Sequence, residues 1–217
     1  MQAEPVSGRI RVRRHPERGH YDEETLYRIL DQTFLCHVGF VDDAHPVVIP
    51  TLYVRQGSAL YLHGATGSRL STVLRRGLPI AVTVTILDGI VLARSAFHHS
   101  VNYQSVVALG RAEEVTGATD KVVALHALLD GMVPGRWNAV RPPREDELAQ
   151  TAVFRVPLTS ASAKVRQGPS ADDADDWLQP VWAGVIPLSL RCGDPIPNPD
   201  LAPGIPWPGY HIGRQPL

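Results

Sequence analysis

No run of this chain approaches the ~18 consecutive apolar residues that a membrane-spanning helix needs, and its N-terminal residues lack the apolar core of a secretory signal. The expectation is a cytoplasmic chain that does not enter a membrane. Charge of one sign is missing too. Lys and Arg number 21 against 22 Asp and Glu, so the formal net charge of -1 creates no global field to hold nucleic acid. Cysteine is nearly absent: Cys36 and Cys192 stand far apart, in no CxxC or Cys/His spacing, which argues against a disulfide framework or a zinc site. Cys36, inside the apolar FLCHVGFV, is expected to be a small core residue. Walker loops, GxGxxG fingerprints, GxSxG elbows and internal repeats are all missing. No metal is expected, because His98 and His99 are adjacent and would point to opposite faces of a strand.

At 217 residues the chain is long enough to bury a sizeable core. Residues 1–20 read as a polar N-terminal arm, whose basic stretch RIRVRRHPERGH is expected to be solvated. Residues 21–192 read as the folded domain. Residues 193–217, with seven prolines, read as an extended surface tail. Within the domain, YDEETLYRILDQTF predicts an amphipathic helix capped by Asp22, with Leu26, Ile29, Leu30 and Phe34 on one face. Short β-rich runs follow: LCHVGFV, VVIPTLYV, ALYLH, IAVTVTI and SVVALGRAEEV. Pro50 cannot donate to a ladder, so its strand is expected at an edge or a bulge. Gly110 is expected to mark a bulge or a close neighbour, and Ser105, Val107 and Leu109 to share one strand face. TDKVVALHALLDG predicts a second helix, capped by Thr119 or Asp120, with Val122, Leu125 and Leu129 on one side and His126 at the rim. TAVFRVPLTSASAKVR and VWAGVIPL resume strand character. DDADD at 172–176 and the acids Glu113, Glu114, Glu145 and Glu147 read as solvated surface.

The stretch YLHGATGSRL, residues 61–70, leads from a strand through two glycines into a helix-like segment. Its glycines permit close backbone approach, the helix start offers unpaired amide donors, and Ser68 and Arg69 add a hydroxyl and a guanidinium. Two readings stand open on these residues alone: a turn that only reverses the chain, or a cradle for a phosphate monoester. His63, alternating with Tyr61, is either a structural histidine or a proton donor beside a ligand.

Taken in order, the first helix, CHVGFVDDAHPVVIPTLYV, LYLHGATGSRL, NYQSVVALGRAEEV, ELAQTAVFRVPLTSASAKVR and PVWAGVIPL resemble the FMN-binding split-barrel proteins related to pyridoxamine-phosphate oxidase. The flavin-nucleotide-binding or nitroimidazole-resistance branch is the most similar. The resemblance implies a mainly β fold with flanking helices, a six-stranded split β-barrel that forms a homodimer with FMN between subunits. It implies that Ser68 and Arg69 bind the FMN phosphate and that His63 and Gly64 border the ribityl chain or ring. Ile49, Pro50 and Thr51 would run along the isoalloxazine edge, Ser105, with Gln104 its neighbour, would contact the flavin from the partner subunit, and Trp182 would lie near the same pocket. Deazaflavin and haem are alternative cofactors among relatives.

The chain departs from the oxidases in two places. WAGVIPLSLR replaces their Arg-Leu-His-Asp-Arg-like substrate clamp, so pyridoxamine-phosphate oxidation is not expected. Leu70 stands where they carry a lysine, a contact that Arg75, Arg76 or a residue of a partner subunit would have to supply. The implied function is a flavin-dependent oxidoreductase that passes electrons from a reduced nicotinamide to a small nitroaromatic or quinone acceptor, with His63 as proton relay. The alternative is a flavin-binding module without turnover.

Overall fold

A computed structural model of the chain describes residues 8–213. In chain order the strands and helices are β1 (Gly19–His20), α1 (Glu23–Leu30), β2 (Leu35–Asp42), β3 (His45–Gln56), β4 (Ala59–Ala65), α2 (Arg69–Arg75), β5 (Ile80–Leu92) and β6 (Ser100–Gly110). Then come β7 (Glu113–Glu114), α3 (Ala118–Met132), α4 (Glu145–Gln150), β8 (Thr151–Pro157), β9 (Ala161–Arg166) and β10 (Gly184–Pro187). All strand pairs are antiparallel, in the order β1-β9-β6-β5-β2-β3-β4-β8-β7, with β10 added beside β5. This is the split barrel expected; among the described residues the sheet has ten strands, of which β1, β7 and β10 are short.

The core follows from strand alternation. Cys36, Val38 and Phe40 on β2 point inward, as do Val82 and Val84 on β5 and Val106 and Ala108 on β6, joined by Leu60, Leu62, Phe154 and Val156. Burial pushes the Cys36 thiol up to about 12, so it behaves as a small apolar group. Helix α1 lies against this core through Leu26, Ile29 and Leu30, and the Asp22 carboxylate caps it by accepting from the Thr25 amide at 2.8 Å.

α1 stops at Leu30, short of the expected Phe34. The Leu30 carbonyl accepts the Tyr53 hydroxyl at 2.6 Å, and the Phe34 carbonyl accepts the Tyr53 amide at 2.9 Å, so the chain is already extended where the sequence pattern still reads helical. In α3 the cap is Gly117, and the buried positions are Ala124 and Leu128 rather than the Val122, Leu125 and Leu129 stripe. A small residue at 124 lets the helix sit close to the sheet. Gly110 pairs regularly with Ile80. The register shift falls instead between Leu87 and Gly89, where a Cβ on Gly89 would lie 2.9 Å from Val185 and 3.0 Å from the Ile186 carbonyl oxygen. DDADD is not simply solvated: Asp172 accepts from the Arg94 amide and guanidinium at 2.9 and 2.7 Å and is almost fully covered. Residues 188–213 of the tail have no regular structure and touch the body where Arg136 donates to the Tyr210 hydroxyl and Gly213 to the Met132 carbonyl; its last four residues lie outside the described ones.

The Tyr53 hydroxyl ties the end of α1 to the middle of the sheet from a site only 1% exposed. Tyr53→Phe leaves a buried carbonyl short of its donor and is expected to cost about 1–2 kcal/mol, read as a lower urea midpoint at unchanged slope. A variant as stable as the parent would show that this tie contributes nothing net.

Candidate functional site

Strand β3 changes partner halfway along. Residues 45–52 pair with β2, from Asp42↔His45 to Leu35↔Leu52, while Tyr53 to Gln56 pair with β4. Had the β3–β4 register continued, Leu52 would face His63 and Thr51 would face Gly64. Instead β4 leaves β3 after Leu62 and continues only with β8, through His63↔Val153 to Ala65↔Thr151. Ile49, Pro50 and Thr51 therefore stand on a stretch paired on one side, as Pro50 led us to expect. Opposite them the chain turns from Gly64 into α2. This mouth is the split in the barrel, and it leaves strand backbone available to a ligand.

At the mouth, Ser68 caps α2. Its hydroxyl accepts from the Ser71 amide at 3.1 Å and donates to the Ser71 hydroxyl at 2.9 Å. Gly64 lies beneath this pair: a Cβ there would sit 3.2 Å from the Ser71 hydroxyl and 3.5 Å from that of Ser68. Arg69 projects from the first turn, more than half exposed, and donates at 2.9 Å to Asp42, which Arg76 also reaches. Leu70 is 7% exposed and packs into the core with Val73 and Leu74, so the residue in the oxidase lysine position faces the interior. Neither candidate replacement stands open. Arg75 holds Glu114 at 2.8 and 2.9 Å, and Arg76 reaches Asp42 at 3.5 Å. Glu113 and Glu147 also have arginine partners, Arg155 and Arg141, whereas Glu145 is simply exposed. The Arg141 guanidinium and the Arg144 amide hold the Glu147 carboxyl at about 2.

His63 is half-buried, and its Nδ1 is enclosed without a hydrogen-bond partner among the described residues. Burial lowers its pKa from the ordinary value of 6.5, so the ring is neutral near pH 7. A neutral imidazole with an open nitrogen offers a ligand one hydrogen bond, as donor or acceptor according to its tautomer.

The remaining candidates stand elsewhere in the chain. Ser105 is opposite Thr85 on β5, with β2 and β3 between that pair of strands and β4. Gln104 turns inward: its carbonyl accepts from Arg28 at 2.8 Å and its amide donates to Asp88 at 3.1 Å, joining α1 to the β5 bulge. Trp182 is 65% exposed and lies over Gly184, next to β10. One chain thus divides the set into a β3–β4–α2 group and a β6–β10 group. His98 lies in a turn, Ala96–His98, not on a strand. Its Nε2 is 3.3 Å from Asp173, with Asp176 near enough to form a three-residue group. Spacing alone hid that proximity.

The family model for pyridoxamine 5'-phosphate oxidase matches residues 22–165. The chain belongs to that family. It is similar to the flavocytochrome Anf3 from Azotobacter vinelandii, at 40% identity over 97% of this chain and 100% of that one, with a TM-score of 0.91. A FAD and heme binding protein from Mycobacterium smegmatis is 37% identical over 88% of this chain and 94% of that one, TM-score 0.85. A candidate 5-nitroimidazole antibiotic resistance protein from Bacteroides thetaiotaomicron shares the fold at 21% identity over 68% and 86% of the two chains, TM-score 0.55. No curated protein matches the chain. The Anf3 likeness reaches well outside the family-model range, into the N-terminal arm and the tail.

The lowered pKa of His63 gives a pH prediction. The unfolded chain takes up the proton at the ordinary 6.5 and the folded chain only at lower pH, so stability present above 6.5 is lost as pH falls toward the folded value. His63→Gln removes this loss. The parent is expected to lose more of its urea midpoint between about pH 7.5 and 5.5 than the variant does; parallel losses would show that His63 is not held neutral.

Proposed function

We propose that the protein is a flavin-binding oxidoreductase acting as a homodimer, in which the mouth between β3 and β4 seats the flavin. The observation that carries this reading is the partner change in β3. It leaves residues 49–51 paired on one side, directly beside a serine-capped turn with a guanidinium at its rim. A flavin asks for backbone donors and acceptors along its pyrimidine edge, an apolar slot and a cationic seat for its phosphate. The relatives named as a flavocytochrome and as a FAD and heme binding protein support the cofactor class.

When bound, a flavin supplies two-electron chemistry between a donor such as a reduced nicotinamide and a small acceptor of nitroaromatic or quinone type. The chain's own part is positional. Ser68 and the first amides of α2 meet the phosphate, and Arg69 exchanges Asp42 for it. That exchange is favourable: an exposed ion pair is worth roughly 0–1 kcal/mol, against roughly 1.5–3 kcal/mol for a charge-assisted hydrogen bond. Gly64 keeps side-chain bulk away from the hydroxyl pair. His63, neutral and with an open nitrogen, takes or returns a proton at the ring or ribityl chain. The second copy brings Ser105 and Trp182 to the other side.

Haem is the second reading, favoured by the same two relatives. An apolar cavity of about 750 Å³ against Gly39, Phe40, Val48, Ile80 and Leu109 is roomy enough for a flat macrocycle. Its lining includes no histidine, cysteine or methionine, so it offers iron no axial ligand, and no step is derived through haem.

The absorbance spectrum of the purified protein tests both. Flavin bands, bleached anaerobically by a reduced nicotinamide and restored by a nitro compound, are expected. A Soret band would add haem, and a colourless protein that ignores added flavin would overturn the proposal. Arg69→Ala is expected to weaken FMN binding about 10- to 100-fold, measured by fluorescence quenching; unchanged affinity would place the phosphate elsewhere.

A further inference from the structure

The basic arm is not the solvated strand that its composition suggests. Ile10 is 6% exposed, the Val12 amide donates to the Tyr21 hydroxyl at 2.8 Å, and Gly19, paired with Lys164 on β9, is so close that a Cβ there would lie 2.9 Å from the Val12 side chain. The segment is pinned to the β9–β6 side of the sheet. Ile10 is buried and Val12 half-buried, while Arg9, Arg11, Arg13 and Arg14 are exposed.

Between the arm and the sheet lies a cavity of about 310 Å³, bordered by Arg9, Arg11, Arg13, Lys164, Ser105 and Ser162. A second, of about 460 Å³, adjoins it around Arg11 and Arg13. Several surface arginines elsewhere have carboxylates, since Arg69, Arg75, Arg94, Arg141 and Arg155 each hold an acid, while Arg111 donates to the Gly77 carbonyl instead. Arg11, Arg13, Arg14 and Lys164 hold none among the described residues, and Glu17, the only acid in residues 8–20, is taken by His15 and Arg18. Fixing several like charges around one recess is unfavourable without a counter-anion. Guanidiniums in a fixed cluster with two hydroxyls match an anion that has several charged oxygens on adjacent centres, and phosphate oxygens in particular.

We infer that this recess binds the diphosphate of a dinucleotide. It is separate from the Ser68–Arg69 turn, which stands at β4 on the other side of the sheet order. It is also enclosed on two sides, unlike the open stripe that a nucleic-acid strand requires. The diphosphate has two sources, FAD or a reduced nicotinamide dinucleotide. The inference deepens the flavin reading and rests on it only for the first. A flavin whose near phosphate sits at Ser68 and Arg69 of one copy and whose second phosphate reaches the arm of the other would be distinguished from FMN by the arm alone.

The test compares the parent with Arg11→Ala/Arg13→Ala and, as a variant away from the arm backbone, Lys164→Ala. Each is titrated with inorganic pyrophosphate, FAD, FMN and NADPH. The double variant is expected to bind pyrophosphate about tenfold or more weakly and to lose FAD affinity to a similar degree, while FMN affinity stays within about threefold. Lys164→Ala moves the same way by less. If FAD is unaffected but NADPH binding falls with pyrophosphate, the diphosphate belongs to the electron donor and the inference holds. Pyrophosphate affinity unchanged in the double variant, or FMN weakened as much as FAD, overturns it. A parent protein that binds no flavin overturns the function proposed above, and the pyrophosphate titration still decides the arm.

Discussion

The partner change in β3 governs the architecture. A strand of twelve residues is shared between two neighbours, β2 for its first two-thirds and β4 for its last third. Because β4 is drawn to β8 instead, the sheet opens at residues 49–51, and α2 covers the gap from one side by burying Leu70, Val73 and Leu74. That packing fixes the rest of the turn. With every third or fourth residue of α2 committed to the core, Ser68 is left to cap the helix and Arg69 to stand at the rim. The same geometry explains why the oxidase lysine has no equivalent here: position 70 faces the interior, where an ammonium would cost more than any phosphate contact returned.

Charge is distributed more unevenly than the net value of -1 suggests. Around β7, β8 and α2 the cations are matched, with Arg75 on Glu114 and Arg155 on Glu113. Several buried polar groups are matched as well: Arg166 meets Asn102 and the carbonyls after β9, and Gln104 links Arg28 to Asp88. Against that background the arm differs, because Arg11, Arg13 and Arg14 have no carboxylate partner among the described residues and stand on a backbone held by apolar anchors. Ile10 and Val12 hold the backbone down, and Arg11 between them and Arg13 after them border the recess.

Much of this was legible in the sequence because it is encoded within a few residues. Asp22 three positions before an amide it can cap, the apolar spacing of Leu26, Ile29 and Leu30, the alternation of β6 and the break that Pro50 imposes are all local facts, and each reappears in the fold. The ordered set of motifs carried the split barrel for the same reason. The glycine turn at 61–70 was readable as a ligand-ready strand-to-helix junction, and the structure puts His63, Gly64, Ser68 and Arg69 at one mouth.

What the sequence did not reveal depends on partners far along the chain. α1 ends four residues early because Tyr53 takes the Leu30 carbonyl, and Gln104 is consumed by Arg28 and Asp88 instead of facing a ligand. Asp172 of DDADD is covered because it holds Arg94, and the arm is pinned to the sheet because Tyr21 and Gly19 receive Val12. Periodicity and capping fix which local structures a segment can adopt. Which neighbour satisfies each exposed edge, carbonyl and charge is settled only when segments separated by tens of residues compete for the same buried surface, and that competition is the tertiary structure.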